Sequence, residues 1–206
     1  MTLPTRRIGD LDVSAIGLGC MPMSFEDMVD HRERALETVH RALDLGITLL
    51  DTANIYAPTW DTVGHNEALV AEALRTYTGP ADLDRVLVTT KGGLPRGPGE
   101  SWGRDSSAPG LRAACEASLA ALEVDVIDLY QHHRHDPVFT YRDQMVALRE
   151  LVDGGLVRRP PIDDALVVHP HADPIVRNRA NRVLTGRELD DPLGDEPGEH
   201  RVRRVE

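Results

Sequence analysis

Lysine is almost absent from this chain. Of its 23 basic residues, 22 are arginine and one, Lys91, is lysine. Cysteine is scarce as well. Cys20 and Cys115 are too few for a disulfide framework, which points to a reducing cytosol. No apolar run approaches the ~18 residues of a membrane span, and the opening MTLPTRRIGDLDV has no apolar core of a secretory leader. Positive charge is in deficit, with 34 acidic against 23 basic residues and a formal net charge of −11. Nucleic acid and anionic membrane both call for basic surfaces, so neither is expected as a partner. At 206 residues the chain is long enough for one domain with a sizeable core. The expectation is a soluble, cytoplasmic, globular protein.

The solitary lysine bears on chemistry. On a solvated surface arginine and lysine serve almost equally well, and here arginine stands everywhere else. An ammonium is a compact charge whose pKa moves on burial, whereas a guanidinium is planar and stays charged. Lys91 therefore fits a task that arginine cannot perform; a snorkelling surface lysine kept by chance is the competing explanation.

Alternating strand and helix patterns run from residue 12 to about 157. Arg6 to Val13, with Gly9-Asp10 at its middle, has the form of a small hairpin. Val13-Ser-Ala-Ile-Gly-Leu-Gly19 reads as one buried strand. Further strands are expected at Ile47–Leu50, Val86–Thr90 and Val126–Tyr130. Amphipathic helices are expected at Arg34–Leu45, His65–Tyr77, Gly110–Leu122 and Tyr141–Val152. Polar residues Asp51, Lys91 and His133 stand at or just past three strand ends. Consecutive strand–helix units imply a parallel sheet with right-handed crossovers, which brings all strand C-termini to one face. A (βα)8 barrel and a doubly wound open sheet both fit. The strand ends lack a GxGxxG turn, and Gly17-Leu-Gly19 alone is a weak substitute, so the barrel is favoured.

Past about Arg158 the pattern stops. The remaining stretch has no aromatic residue and is rich in Arg, Asp, Pro, His and Glu. It reads as a poorly ordered tail, with Leu166-Val-Val168 its one strand-like segment. Prolines 160 and 161 cannot donate to a central ladder, so strand five is expected to break there. The division is thus a half-barrel of about four βα units over 1–158 and a divergent tail over 159–206.

The strand ends hold the components of a carbonyl reduction. Hydride addition to a carbonyl leaves an alkoxide that must receive a proton. An unperturbed phenol, pKa ~10, is a weak acid for this at neutral pH. A neighbouring ammonium favours the phenolate, and a carboxylate holds the ammonium in place. An imidazole can donate to the carbonyl oxygen. Asp51, Tyr56, Lys91 and His133 supply these four groups. Taken one at a time, Asp51 as a turn cap and Tyr56 as a half-buried loop aromatic are the simpler readings.

The stretches VSAIGLGCMPM, ALDLGITLLDTANIY, GHNEALVAEALR, VLVTTKGG, RDSSAPGLRAACEASLAAL and DVIDLYQHHRHDP resemble the aldo-keto reductase family, especially its bacterial members. The resemblance covers residues 6 to about 158. It implies a (βα)8 TIM barrel, NADP(H) as cofactor, and hydride transfer to a small aldehyde or ketone. By position Tyr56 resembles the proton donor, Lys91 and Asp51 its tuning pair, and His133, rather than His132, the catalytic histidine. Gly19, Cys20 and Met21 fall where the first-strand loop borders the nicotinamide, and Asp51 belongs to that border too. Trp60 and Trp102 fall where pocket walls lie in the family, although packed loop aromatics account for them equally well. His132, His133, His135 and Asp136 could be read as metal ligands, but alternation turns His132 away from the other two, and no HExxH or CxxC spacing is present.

In the family, strands five to eight hold the carboxamide, stack on the nicotinamide and bind the 2′-phosphate. The 46 residues beyond Pro160 cannot hold four more units of ~40 residues, given barrels of ~250 residues. Three expectations follow: a reductase whose sequence departs from the family after about residue 158, as a frameshift would cause; a non-catalytic half-barrel module or inactive remnant, its open edges inviting self-association; or an open-sheet protein of another class that mimics the pattern.

Overall fold

The computed structural model describes residues 3–25 and 28–159. The tail and its strand-like segment at 166–168 lie outside the described residues, as does the course of the chain past Arg159.

Strands β1 (Thr5–Ile8) and β2 (Leu11–Ser14) form an antiparallel hairpin with Ile8 opposite Leu11. Gly9 turns it with φ +60, the positive value that the first central residue of a tight hairpin loop requires. The sequence pattern reads 13–19 as one strand; the structure splits it. β2 ends at Ser14, whose hydroxyl donates to the Ile16 carbonyl at 2.7 Å, a local bond that competes with the ladder. β3 is only Leu18–Gly19. Between them Gly17 lies so close to Leu49 that an added Cβ would meet that side chain at 3.0 Å.

The rest of the chain alternates as expected: α1 (Arg32–Asp44), β4 (Leu49–Asp51), α2 (His65–Thr76), β5 (Leu87–Gly92), then a two-stranded loop ribbon of β6 (Arg96–Gly97) and β7 (Ser101–Trp102). α3 (Ala108–Leu122), β8 (Ile127–His132), α4 (Tyr141–Asp153) and β9 (Val157–Arg159) complete it. The main sheet is fully parallel in the order β3-β4-β5-β8-β9. A fifth strand nevertheless begins: β9 pairs with β8 through Ile127–Val157 and Leu129–Arg159, and the expected break at prolines 160 and 161 lies outside the described residues.

Side-chain caps start α3 and α4. Ser107 accepts from the Gly110 amide at the head of α3, and Thr140 and Asp143 form a reciprocal capping box on α4. The apolar stripes of the helices cover one face of the sheet in two clusters. Val39, Leu43, Leu50, Leu69 and Val70 make the first; Leu111, Cys115, Tyr130, Leu148 and Leu151 anchor the second. Strand alternation sends Leu50, Thr90 and Tyr130 into this layer. It sends Asp51, Thr89, Lys91, Leu129 and Gln131 to the other face.

The hairpin caps the far end of the sheet. Ser14 and Thr48, the residue before β4, exchange bonds of 2.8 and 2.9 Å, and Asp10 pairs with Arg159 at 2.9 Å. The strand C-termini point the other way, toward the loops that hold the polar residues.

Candidate active site

Lys91 lies near the end of β5, 5% exposed, and its single nitrogen makes three hydrogen bonds. It donates to Asp51 Oδ2 at 2.7 Å, to the Thr52 carbonyl at 2.8 Å and to Tyr56 Oη at 3.3 Å. Three N–H groups thus meet three acceptors, in three directions that a planar guanidinium could not reproduce from one point. The pairing of β4 with β5 and of β5 with β8 explains the convergence. Asp51 stands opposite Thr89, two residues before Lys91, and Lys91 stands opposite Gln131.

Asp51 is the least enclosed member, its side chain 38% exposed. Its second oxygen accepts from Thr89 Oγ1 at 2.9 Å and Gln131 Nε2 at 3.2 Å. Neither donor was expected from the sequence. Alternation along DLYQHH offered a signal for Gln131, which shares the face of His133.

Tyr56 is nearly buried. Its ring meets the His133 ring edge-on at 5.7 Å and the Phe25 ring edge-on at 6.4 Å, and Lys91 Nζ lies 5.0 Å from its centroid. His133 follows β8 directly, and its amide donates to the Gly92 carbonyl at 2.8 Å. All four expected residues are thus gathered on the inner face at the strand C-termini.

His132 is turned outward, where its Nε2 lies 2.7 Å from Ser106 Oγ. Burial, aided by His135, lowers its pKa to about 4, so it is neutral at physiological pH. Among the described residues no group of three or more His, Cys, Asp or Glu side chains could hold a metal ion.

The three residues of the β3 loop divide. Gly19 pairs with Asp51, and an added Cβ there would meet nothing within 4 Å, so it opens on free space. Met21 is 47% exposed. Cys20 instead buries its side chain in the first core cluster, which pushes its thiol up to about 12. Its backbone is occupied as well: the amide donates to the Asp51 carbonyl at 2.8 Å and its carbonyl accepts from Asn66.

Two loops form the rim. Arg96 donates to the Ala57 and Pro58 carbonyls at 2.6 and 3.2 Å, bonds Glu100, and stacks on Trp102 at 5.3 Å. Glu100 in turn accepts from the Trp60 amide at 3.1 Å. Leu94, which packs against the cluster of Tyr56, joins Trp102, Gly103, Arg104 and Arg134 in lining an open hollow of about 440 Å³.

Residues 15–160 match the Aldo/keto reductase family, a stretch that contains all four converging residues. The chain belongs to the aldo/keto reductase family. Within it, the chain is 34% identical over 155 residues to the uncharacterized oxidoreductase YqkF of Bacillus subtilis, a match that covers 74% of this chain and 46% of that protein. It is 32% identical over 167 residues to the uncharacterized oxidoreductase C215.11c of Schizosaccharomyces pombe, covering 79% and 51%. Among solved structures, the holo form of aldo-keto reductase AKR11C1 from Bacillus halodurans is similar at TM-score 0.63 and 31% identity, over 76% of this chain and 48% of that one. An aldo/keto reductase from Klebsiella pneumoniae, solved in complex with NADP and acetate, is similar at TM-score 0.55 and 28% identity, over 72% and 44%. The chain spans about half the length of the family members it matches, and its parallel sheet with outer helices is the corresponding part of their barrel.

Proposed function

We propose that this chain carries the proton-delivering part of an NADP(H)-dependent aldo-keto reductase that acts on small aldehydes or ketones. The observation that supports this most directly is the buried Lys91, bonded at once to Asp51 and to the Tyr56 hydroxyl. In this reading Tyr56 gives its proton to the carbonyl oxygen as negative charge develops there. Lys91 stabilises the charge left on the phenol oxygen, Asp51 keeps the ammonium in place, and His133 orients the carbonyl from beside the Tyr56 ring.

Gly19, Met21 and Asp51 fit a nicotinamide border. The first leaves open space, the second is exposed, and the third is accessible at its carboxylate. Cys20 contributes to such a border only by fixing the loop from beneath. NADP(H), when bound, supplies the hydride. That members of this family are solved with NADP and with NADPH supports the choice of cofactor. Two buried free thiols accord with a cytoplasmic location. No nucleic acid and no membrane figures in the proposal; among the described residues no helix is long and apolar enough to cross a bilayer.

A second reading, a half-barrel binding module without turnover, draws on the share of the family's length that the chain spans. Fluorescence titration with NADPH separates the two. Saturable binding in the micromolar range is the expected result, and no binding at millimolar cofactor removes reductase activity from this chain.

A further inference from the structure

Asn66 has no exposed surface, and every hydrogen-bonding group of its side chain is engaged. Its Nδ2 donates to the Cys20 carbonyl at 2.8 Å and to Ser24 Oγ at 2.7 Å. Its Oδ1 accepts from Thr52 Oγ1 at 2.6 Å. Its backbone amide donates to the Tyr56 carbonyl at 3.0 Å. One residue in the first turn of α2 therefore ties together the loop after β3, the residue whose carbonyl receives Lys91, and the tyrosine itself.

Its neighbours in the same turn extend the tie. His65 Nδ1 lies 2.8 Å from Ser24 Oγ, and Glu67, without exposed surface, accepts from Thr90 Oγ1 at 2.5 Å. Thr90 immediately precedes Lys91. The first turn of α2 thus holds the tyrosine loop on one side and the lysine strand on the other.

We infer that Asn66 is a positioning residue that sets the distance between Tyr56 and Lys91 and fixes the β3 loop beside them. The inference rests on the reductase reading for its kinetic consequence but not for its structural one. A buried amide whose side chain bridges the β3 loop and Thr52 leaves unpaired polar groups on both when removed, and they move to recover partners. Displacement of a reacting group by about 1 Å costs roughly 10²-fold in rate.

Two near-isosteric variants test this without a large cavity. Asn66→Asp keeps the acceptor for Thr52 and loses both donors; Thr52→Val removes one arm and leaves the carbonyl that receives Lys91. Both are measured against the unaltered chain by steady-state kinetics and by hydrogen exchange of the intact protein. The expected result is a ten- to hundred-fold fall in kcat, with KM for the aldehyde within threefold and an altered pH profile of kcat. The amides of 52–57 and 20–24 should exchange at least tenfold faster, while those of α3 and α4 are unchanged. Should the unaltered chain show no NADPH oxidation, the reductase reading fails, and exchange alone then decides the role of Asn66. Unaltered exchange in 52–57, or a kcat that falls only in proportion to the fraction unfolded, overturns the inference.

Discussion

At the scale of the residue, the arrangement around Lys91 turns on what one ammonium can do. Its three acceptors diverge from a single nitrogen and leave no room for a longer, planar group. Lys91→Arg keeps the charge and is nevertheless expected to lower kcat by about 10²-fold, the scale of a misplaced catalytic group; a rate within threefold of the unaltered protein speaks against the geometry described. His132 allows a separate test by pH. Its folded pKa, about 4, lies below the ~6.5 of an unfolded histidine, so the folded state binds fewer protons between those values. The stabilisation is complete above pH ~6.5 and is lost as pH falls toward 4, by on the order of 3 kcal/mol. His132→Asn should flatten the urea-unfolding free energy between pH 6.5 and 5, and an unchanged slope refutes the attribution. Asp51, Tyr56, Lys91 and His133 were legible in sequence because strand ends of a parallel sheet must converge. Asn66 and Thr89 were not, and for Gln131 alternation gave only the face. Their importance comes from partners between 14 and 80 positions away, and a buried amide carries no local signature of those partners.

At the scale of the element, the helices were readable from apolar periodicity, with which side-chain caps coincide at α3 and α4. Thr140 followed by Asp143 marks the start of α4, and Thr140→Ala should cost about 1 kcal/mol in denaturant unfolding, against no change if the cap is idle. Strand limits were less readable. Ser14, which bonds Ile16, and Gly17, which admits Leu49, divide a run whose composition is uniformly strand-like. β9 was missed for the opposite reason. Prolines govern only their own ladder positions, and the described pairing of Val157–Arg159 involves neither of them. Gly92 shows how closely strand and helix layer fit. A Cβ there would collide with the hydroxyl of Tyr130, itself buried against Cys115 and Leu111. Gly92→Ala should therefore displace Tyr130 and lower stability by about 1–3 kcal/mol, measured by chemical denaturation.

At the scale of the molecule, the described sheet has β3 and β9 as its outermost strands, and its inner face carries Leu49, Leu87 and Leu129 as well as the polar site. A strand edge left open pairs readily with other chains, and the half-barrel reading expects self-association through such edges. Sedimentation velocity should then show a boundary that moves faster as protein concentration rises; one monomeric boundary throughout contradicts it. The central claim concerns proton delivery, and steady-state NADPH oxidation with a small aldehyde tests it most directly, comparing the unaltered chain with Tyr56→Phe. The account predicts turnover by the first and a loss of about 10²–10⁴-fold in kcat for the second, with its circular dichroism unchanged. Equal rates in the two proteins contradict it.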